Sequence, residues 1–376
     1  MLLECARPHP DPLRLNGLLI QPLDWAALYT VTEQHLMLPL LNMRLQEFGD
    51  NVVPPDISQK LQEYCRAHAL LTLRLIAELF RVTGRLAARN IETLAIKGPI
   101  LSLRCYGDPG IRHFTDLDFI VRGQDIARCT EAMLELGYEP RIPLDAIAAE
   151  RIPGEYVFRH PETRVIVEFH TEHTFRYHPR RLELDKVFER KASIIVDQHC
   201  VPALSVEDEL VFSCIHAAKH LWERLAWVAD LAALLSHTPS LDWRRAESAA
   251  AEVRAERMFR VGLGLATGLL AVPLPPHIAN YVESDATAVR LALQIADRLP
   301  QTDSITLGIL RRAAFRVKMR GGFLTGLSYL LRLSLSPTEE DWLIEGQSNR
   351  PCFWDAISRP FRLTRKYRRE SREKAG

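Results

Sequence analysis

Asp116 and Asp118 stand two residues apart in the run Thr115-Asp116-Leu117-Asp118-Phe119-Ile120-Val121, whose alternation from 116 to 120 predicts a β-strand. Residues two apart in a strand share a face, so the two carboxylates project side by side and Leu117 and Phe119 take the other face. Parallel carboxylates repel unless a cation sits between them, which is expected to raise at least one of their pKa values. On that basis Asp118→Asn is expected to leave the metal-free protein as stable as wild type, or slightly more so. Hard oxygen ligands suit Mg²⁺, which takes one or two protein carboxylates together with substrate phosphates. Glu168, between Val167 and Phe169 in a second apolar strand, offers a third acid. Three acids around two metal ions suit an in-line displacement at phosphorus. A lone D-x-D is also a common solvated strand end. Against that reading stand a Lys97-Gly98 turn ahead of a helix, Arg112 four residues before Asp116, and the acid in the later strand.

The elements that position these groups can be read from pattern. Residues 24–48 predict a helix interrupted at Pro39. After Pro54-Pro55, positions 57, 61, 64, 68, 71, 75, 79, 82 and 86 step by three and four, which predicts one long amphipathic helix capped by Asp56. Thr93–Ile96 predicts a strand, followed by a helical stretch to Tyr106 and a turn over Gly107–Gly110. Residues 125–136 predict a helix ended by Gly137 at C′. Tyr156–Phe158 and Arg164–His170 predict a hairpin turning through His160–Thr163. Ser205-Val206-Glu207-Asp208 resembles a capping box for a helix running to about Leu235. Residues 242–376 are mostly helical by pattern, with breaks near Pro273–Pro276 and at Gly321-Gly322. The expectation is an α+β fold: a small mixed β-sheet core at 91–204, between an N-terminal helical region at 1–90 and a C-terminal helical domain with a basic tail at 205–376.

Composition narrows the classes further. The 376 residues carry 48 Lys+Arg against 47 Asp+Glu, so no bulk charge calls for nucleic acid or an anionic membrane. The longest uncharged apolar run, Val261–Val272, is too short for a membrane span. Residues 1–16, with Glu4, Arg7 and Asp11, do not read as a secretory signal. Seven scattered Cys without a C-x-x-C argue against a disulfide framework or a thiolate zinc site. A cytoplasmic globular protein with no membrane span is expected.

The run LAIKGPILSLRCYGDPGIRHFTDLDFIV (94–121) resembles the nucleotidyltransferase fold of the DNA polymerase β-like superfamily. More narrowly, it resembles a poorly characterised bacterial family of nucleotidyltransferases. The similarity continues through Glu168-Phe169-His170 and the helical segment HAAKHLWERLAWVADLAALL (216–235). The resemblance implies an enzyme that moves a nucleoside monophosphate from a nucleoside triphosphate to an unknown acceptor, releasing pyrophosphate. It implies Asp116, Asp118 and Glu168 as catalytic residues and as ligands of two Mg²⁺ ions. The sequence departs from the superfamily in one place. The usual Gly-Ser or Gly-Gly pair is Gly98-Pro99 here, farther from Asp116 than is common, and proline lacks a donor. Lys97 and the N-terminus of the following helix are expected to compensate as phosphate ligands, with Arg112 as a bidentate contact. Lys97 and Arg112 could instead simply neutralise the acids.

If 216–230 is continuous helix, His216, Lys219, His220, Glu223, Trp227 and Asp230 recur on one stripe. That stripe could line the nucleotide or acceptor cleft, with Lys219 reaching a β- or γ-phosphate and Asp230 beside it; it could also be a solvated face. His216 and His220 at i, i+4 could bind zinc, although no nearby acid completes the usual motif. His170, His173 and His178 suggest a metal cluster or ordinary hydrogen-bonded imidazoles. The tail 359–374 holds eight Lys/Arg against two Glu and reads as a solvated basic helix or a nucleic-acid contact. Beside the enzyme stand two alternatives: an inactive binding or scaffold protein of the same fold, and a toxin-like nucleotidyltransferase that modifies tRNA.

Overall fold

The computed structural model describes residues 1–49, 52–144, 147, 154–171, 184–299 and 309–335. The basic tail, His173 and His178 lie outside the described residues. Four short helices open the chain: α1 (Leu2–Ala6), α2 (Pro12–Leu19), α3 (Trp25–Gln34) and α4 (Leu38–Gln46). The break expected at Pro39 falls earlier, at His35–Met37, where Leu36 takes φ 60; Pro39 sits in the first turn of α4, where its missing N–H costs nothing. The long helix α5 (Pro55–Ala88) buries Ile57, Leu61, His68, Leu75, Leu79, Val82 and Leu86 as its periodicity predicts. Its N-cap is Pro54, with no side-chain cap bond, and Asp56 lies in the first turn, where a carboxylate favours the positive end of the helix dipole.

The α/β portion follows: β1 (Thr93–Ile96), α6 (Gly98–Tyr106), β2 (Asp116–Val121), α7 (Ile126–Glu135), β3 (Glu139–Pro140), β4 (Glu155–Arg159), β5 (Ile166–His170), α8 (Leu184–Glu189), β6 (Ala192–Val196) and β7 (His199–Ala203). Seven strands form one mixed sheet in the order β3-β4-β5-β2-β1-β7-β6. The strand bearing the two aspartates is central, antiparallel to β1 and parallel to β5. Period-two alternation divides it between two cores. Leu117, Phe119 and Val121 pack with Leu75, Leu79 and Val82 of α5, while Ile120 joins Leu94, Ile96, Phe188, Leu204 and Phe212 on the other face. The acid-bearing face is therefore the one away from α5.

Helices α9 (Val206–Lys219), α10 (Leu225–His237), α11 (Trp243–Glu252), α12 (Glu256–Leu270), α13 (Pro276–Glu283), α14 (Ala286–Arg298), α15 (Ile309–Met319) and α16 (Phe323–Leu335) complete the described chain. Ser205 caps α9 by accepting from Asp208 N–H, as the capping box predicts. The helix expected to run to Leu235 does not. It stops at Lys219, and Leu221 and Trp222 adopt φ 59 and 55, which places both side chains in the helical core at 1% and 0% exposure. Burying those two apolar groups outweighs the lost helical turn, and α10 starts afresh on a different axis. That same core takes in Ala6, Met37 and Leu40 from the N-terminal helices. Among the described residues, no helix is long and apolar enough to cross a membrane.

Candidate active site

The β-ladder fixes the acids. Asp118 pairs in register with Glu168 of β5, and Ile120 with His170, so Asp116, Asp118, Glu168 and His170 share one face of two adjacent strands. On the other side of β2, Asp118 is opposite Ile96, the residue before Lys97. Lys97 has φ 52 and ψ −142, a conformation costly for a side-chain-bearing residue, and it ends with its Nζ donating to Asp118 Oδ1 at 2.8 Å. Gly98 follows at φ 43, where glycine avoids the strain that any Cβ would bring. Pro99 then occupies the first turn of α6.

His170 Nε2 also lies 2.7 Å from Asp118 Oδ1, and 3.8 Å from Glu168 Oε2. The repulsion expected between the acids is thus redistributed. Burial works to raise the Asp118 pKa, but the Lys97 ammonium and the His170 hydrogen bond overcome it and hold that carboxyl well below the carboxylate range. The cost falls on the neighbours. Burial, then the charges of Asp118 and Glu155, push Glu168 up to about 8, and burial plus Asp118 raises Asp116. The expected rise falls on Glu168 and Asp116, and the Lys97 and His170 contacts to Asp118 argue against the expectation that Asp118→Asn is neutral or stabilising.

Beside the acids opens a cleft of about 290 Å³, at the small end of the range of small-molecule sites. Its lining brings Lys97, Gly98, Arg112, Asp116 and Asp118 together with His216, His220, Trp227 and Asp230. Arg112 Nε donates to Asp230 Oδ2 at 2.8 Å, and Tyr106 Oη to Asp230 Oδ1 at 2.9 Å. Arg112 and Asp230 are 10% and 4% exposed, so the pair is built into the cleft floor. Burial alone would lower the Arg112 pKa; Asp230 more than offsets this and keeps the guanidinium charged. His216, His220 and Trp227 cluster with ring centroids 4.8–5.7 Å apart. Burial and the nearby Lys97 hold His216 well below the usual imidazole range; His220, although its side chain is open to solvent, is lowered as well by the surrounding protein and Lys219.

Of the residues singled out from sequence, Asp116, Asp118, Lys97, Gly98, Arg112 and Asp230 meet around the cleft, and Glu168 stands beside Asp118 on the next strand. Lys219 does not line the cleft. It is 45% exposed at the C-terminal end of α9 and faces Glu155 across 3.7 Å. His170 is a member the sequence under-weighted. It stands two residues from Glu168 in a strand, the same spacing that singled out Asp116 and Asp118.

Two carboxylates and an imidazole make a donor set for a divalent cation, Mg²⁺ through the oxygens. Ligand atoms of Asp118, Glu168 and His170 lie within 4.8 Å of one another. Glu168 is an acid whose surroundings disfavour its charge, which a cation would relieve.

The family described as uncharacterised nucleotidyltransferase matches residues 21–271, most of the chain, and the chain belongs to that family. A search of solved structures finds an antigenic nucleotidyltransferase-like protein from Paracoccidioides brasiliensis. It is 15% identical with a TM-score of 0.30, over 57% of this chain and 96% of that one. No curated protein matches the chain in sequence.

Proposed function

We propose that this chain is a Mg²⁺-dependent nucleotidyltransferase that moves a nucleoside monophosphate from a nucleoside triphosphate to an acceptor. The observation that carries the reading is the register that sets Asp118 against Glu168, with Asp116 on the same face, beside a cleft furnished with Lys97 and Arg112. Asp116, Asp118 and Glu168 would hold the metal, with His170 within reach of the same position. Mg²⁺, when bound, would neutralise triphosphate charge and stabilise the charge developing on the transferred phosphoryl group.

The chain's own groups supply the rest. An acceptor oxygen attacks the α-phosphorus, the bond to the bridging oxygen of the β-phosphate breaks, and pyrophosphate departs. Lys97 and Arg112 offer fixed positive charge to the phosphates, already desolvated and oriented by Asp118 and Asp230. Glu168 would help deprotonate or position the acceptor hydroxyl. The neutral surface of His216, His220 and Trp227 offers apolar and π contact to a base or acceptor without competing for phosphate.

A second reading, a binding or scaffold protein of the same fold, is favoured by Pro99 at the start of α6, which withholds one backbone donor, and by Lys97 and His170 already occupying Asp118 Oδ1. A thermal-shift screen of the four ribonucleoside triphosphates, each with and without Mg²⁺, tests whether the cleft is a nucleotide site. At least one triphosphate should raise the melting temperature only when Mg²⁺ is present. No shift with any of them would remove nucleotide chemistry from the cleft.

A further inference from the structure

Tyr64 and His68 stand one turn apart on one face of α5, and together they hold the segment that leads into β2. His68 Nε2 lies 3.0 Å from the carbonyl oxygen of Arg112, which can only accept, so this nitrogen carries the ring's proton. Tyr64 Oη lies 2.8 Å from His113 Nδ1. Burial pushes the Tyr64 phenol up to about 12, so it keeps its proton, and among the described residues that proton has no other acceptor. Burial, with His68 and Arg112 close by, lowers the His113 pKa to about 4, so its imidazole is neutral at pH 7. A neutral ring that accepts at Nδ1 carries its own proton on Nε2. The His68 and His113 rings stack with centroids 5.3 Å apart and 23° between their planes, which holds the plane in which that N–H points.

Nε2 is the end of the His113 ring that the protein leaves open. Among the described residues it has no hydrogen-bond partner, and unlike His68 Nδ1 it is not buried. His113 lines the cleft beside the acids, together with Gly98, Thr115 and Asp116. The cleft therefore holds a fixed, uncharged donor as well as the cations Lys97 and Arg112. Phosphate oxygens go to the two cations, because charge-assisted hydrogen bonds are about twice as strong as neutral ones. We propose that His113 contacts the nucleoside part of the triphosphate, its Nε2–H donating to an uncharged acceptor on the base or the sugar. The proposal rests on the reading of the cleft as a nucleotide site. Tyr64 is a positioning residue that acts through His113: by donating to Nδ1 it makes the open nitrogen a donor and never an acceptor.

Titration calorimetry in Mg²⁺ tests this by comparing the four ribonucleoside triphosphates with inorganic triphosphate, which has the phosphates and no nucleoside. His113→Phe keeps a flat ring but has no donor, so it should weaken at least one nucleoside triphosphate about tenfold and leave inorganic triphosphate unchanged. His113→Gln returns an N–H to the cleft and should recover most of the affinity. An equal loss for all four nucleotides places the contact on the sugar, and an unequal loss places it on the base. A loss that inorganic triphosphate shares, a loss that Gln does not relieve, or no loss at all would overturn the proposal. Side-chain ¹⁵N spectra of the ligand-free chain test the tautomer apart from any nucleotide. His113 should be neutral with its proton on Nε2 at pH 7, and Tyr64→Phe should mix the two tautomers. A proton on Nδ1 in the wild type would overturn the proposal even if nucleotides bind. A wild type with the Nε2 proton in place that binds no triphosphate would instead overturn the nucleotide reading of the cleft, and this proposal with it.

Discussion

Replacing Glu168 by Gln should stabilise the metal-free protein, increasingly so as pH rises. The Glu168 pKa climbs from an ordinary 4.5 in the unfolded chain to about 8 in the folded one, because burial and the charges of Asp118 and Glu155 disfavour its ionisation. Below pH 4.5 the acid is neutral in both states and costs nothing. Between 4.5 and 8 the unfolded chain releases a proton that the folded chain keeps, so wild-type stability falls by about 1.4 kcal/mol per pH unit. Above 8 the loss levels off. Gln cannot ionise and escapes this cost, whereas Asp118, held low, stays charged throughout and contributes equally to both proteins. Allowing for the 21% exposure of the Glu168 side chain, the stability gap should widen by on the order of 3 kcal/mol from pH 5 to pH 8. Urea unfolding of both proteins across pH 5–9 in EDTA reads the gap directly. Mg²⁺ binds the folded wild type and should narrow it at pH 8 by mass action. A gap that is flat or shrinks with pH would refute the account of the acid cluster.

Three further outcomes follow from the same geometry. Asp118→Asn should destabilise the metal-free protein by about 3 kcal/mol, because it leaves the Lys97 ammonium buried beside a neutral amide; a urea midpoint equal to wild type would contradict this. Lys219→Ala should change the melting temperature and triphosphate affinity little, since an exposed pair at 3.7 Å contributes about 0–1 kcal/mol; a marked affinity loss in titration calorimetry would bring Lys219 back to the site. Gly98→Ala should cost about 1 kcal/mol through its φ of 43 and not through collision, because the nearest atom to an added Cβ is Asp116 O at 3.6 Å; a loss several times larger in thermal unfolding would mean the turn cannot accommodate a side chain at all.

The strand with its two acids, the Lys97-Gly98 turn and the hairpin carrying Glu168 were legible because each is written in local alternation and turn chemistry. So was α5, whose three-and-four spacing is uninterrupted. The break after Lys219 was not. Its residues read as helix, and only the packing of Leu221 and Trp222 into a core assembled from distant helices decides otherwise. The β6–β7 hairpin was missed as well, because Asp197-Gln198 lacks the glycine that usually marks such a turn. The sign of the Asp118 shift depends on a strained Lys97 backbone that delivers an ammonium between the acids, which no pattern along the chain reports.

Nucleotidyl transfer itself is the central claim, and α-phosphate-labelled triphosphates with Mg²⁺ test it whatever the acceptor is. Incubated with a cell lysate and the wild-type chain, at least one of them should pass its label to an acceptor and release unlabelled pyrophosphate. Asp116→Asn keeps the Lys97–Asp118–His170 contacts but removes one carboxylate from the metal-holding face, and it should abolish the labelling while still melting as a folded protein. Labelling that persists unchanged in Asp116→Asn would contradict the assignment of the acids. No labelling by the wild type, despite tight Mg²⁺-dependent nucleotide binding, would make the cleft a binding site and the chain a scaffold.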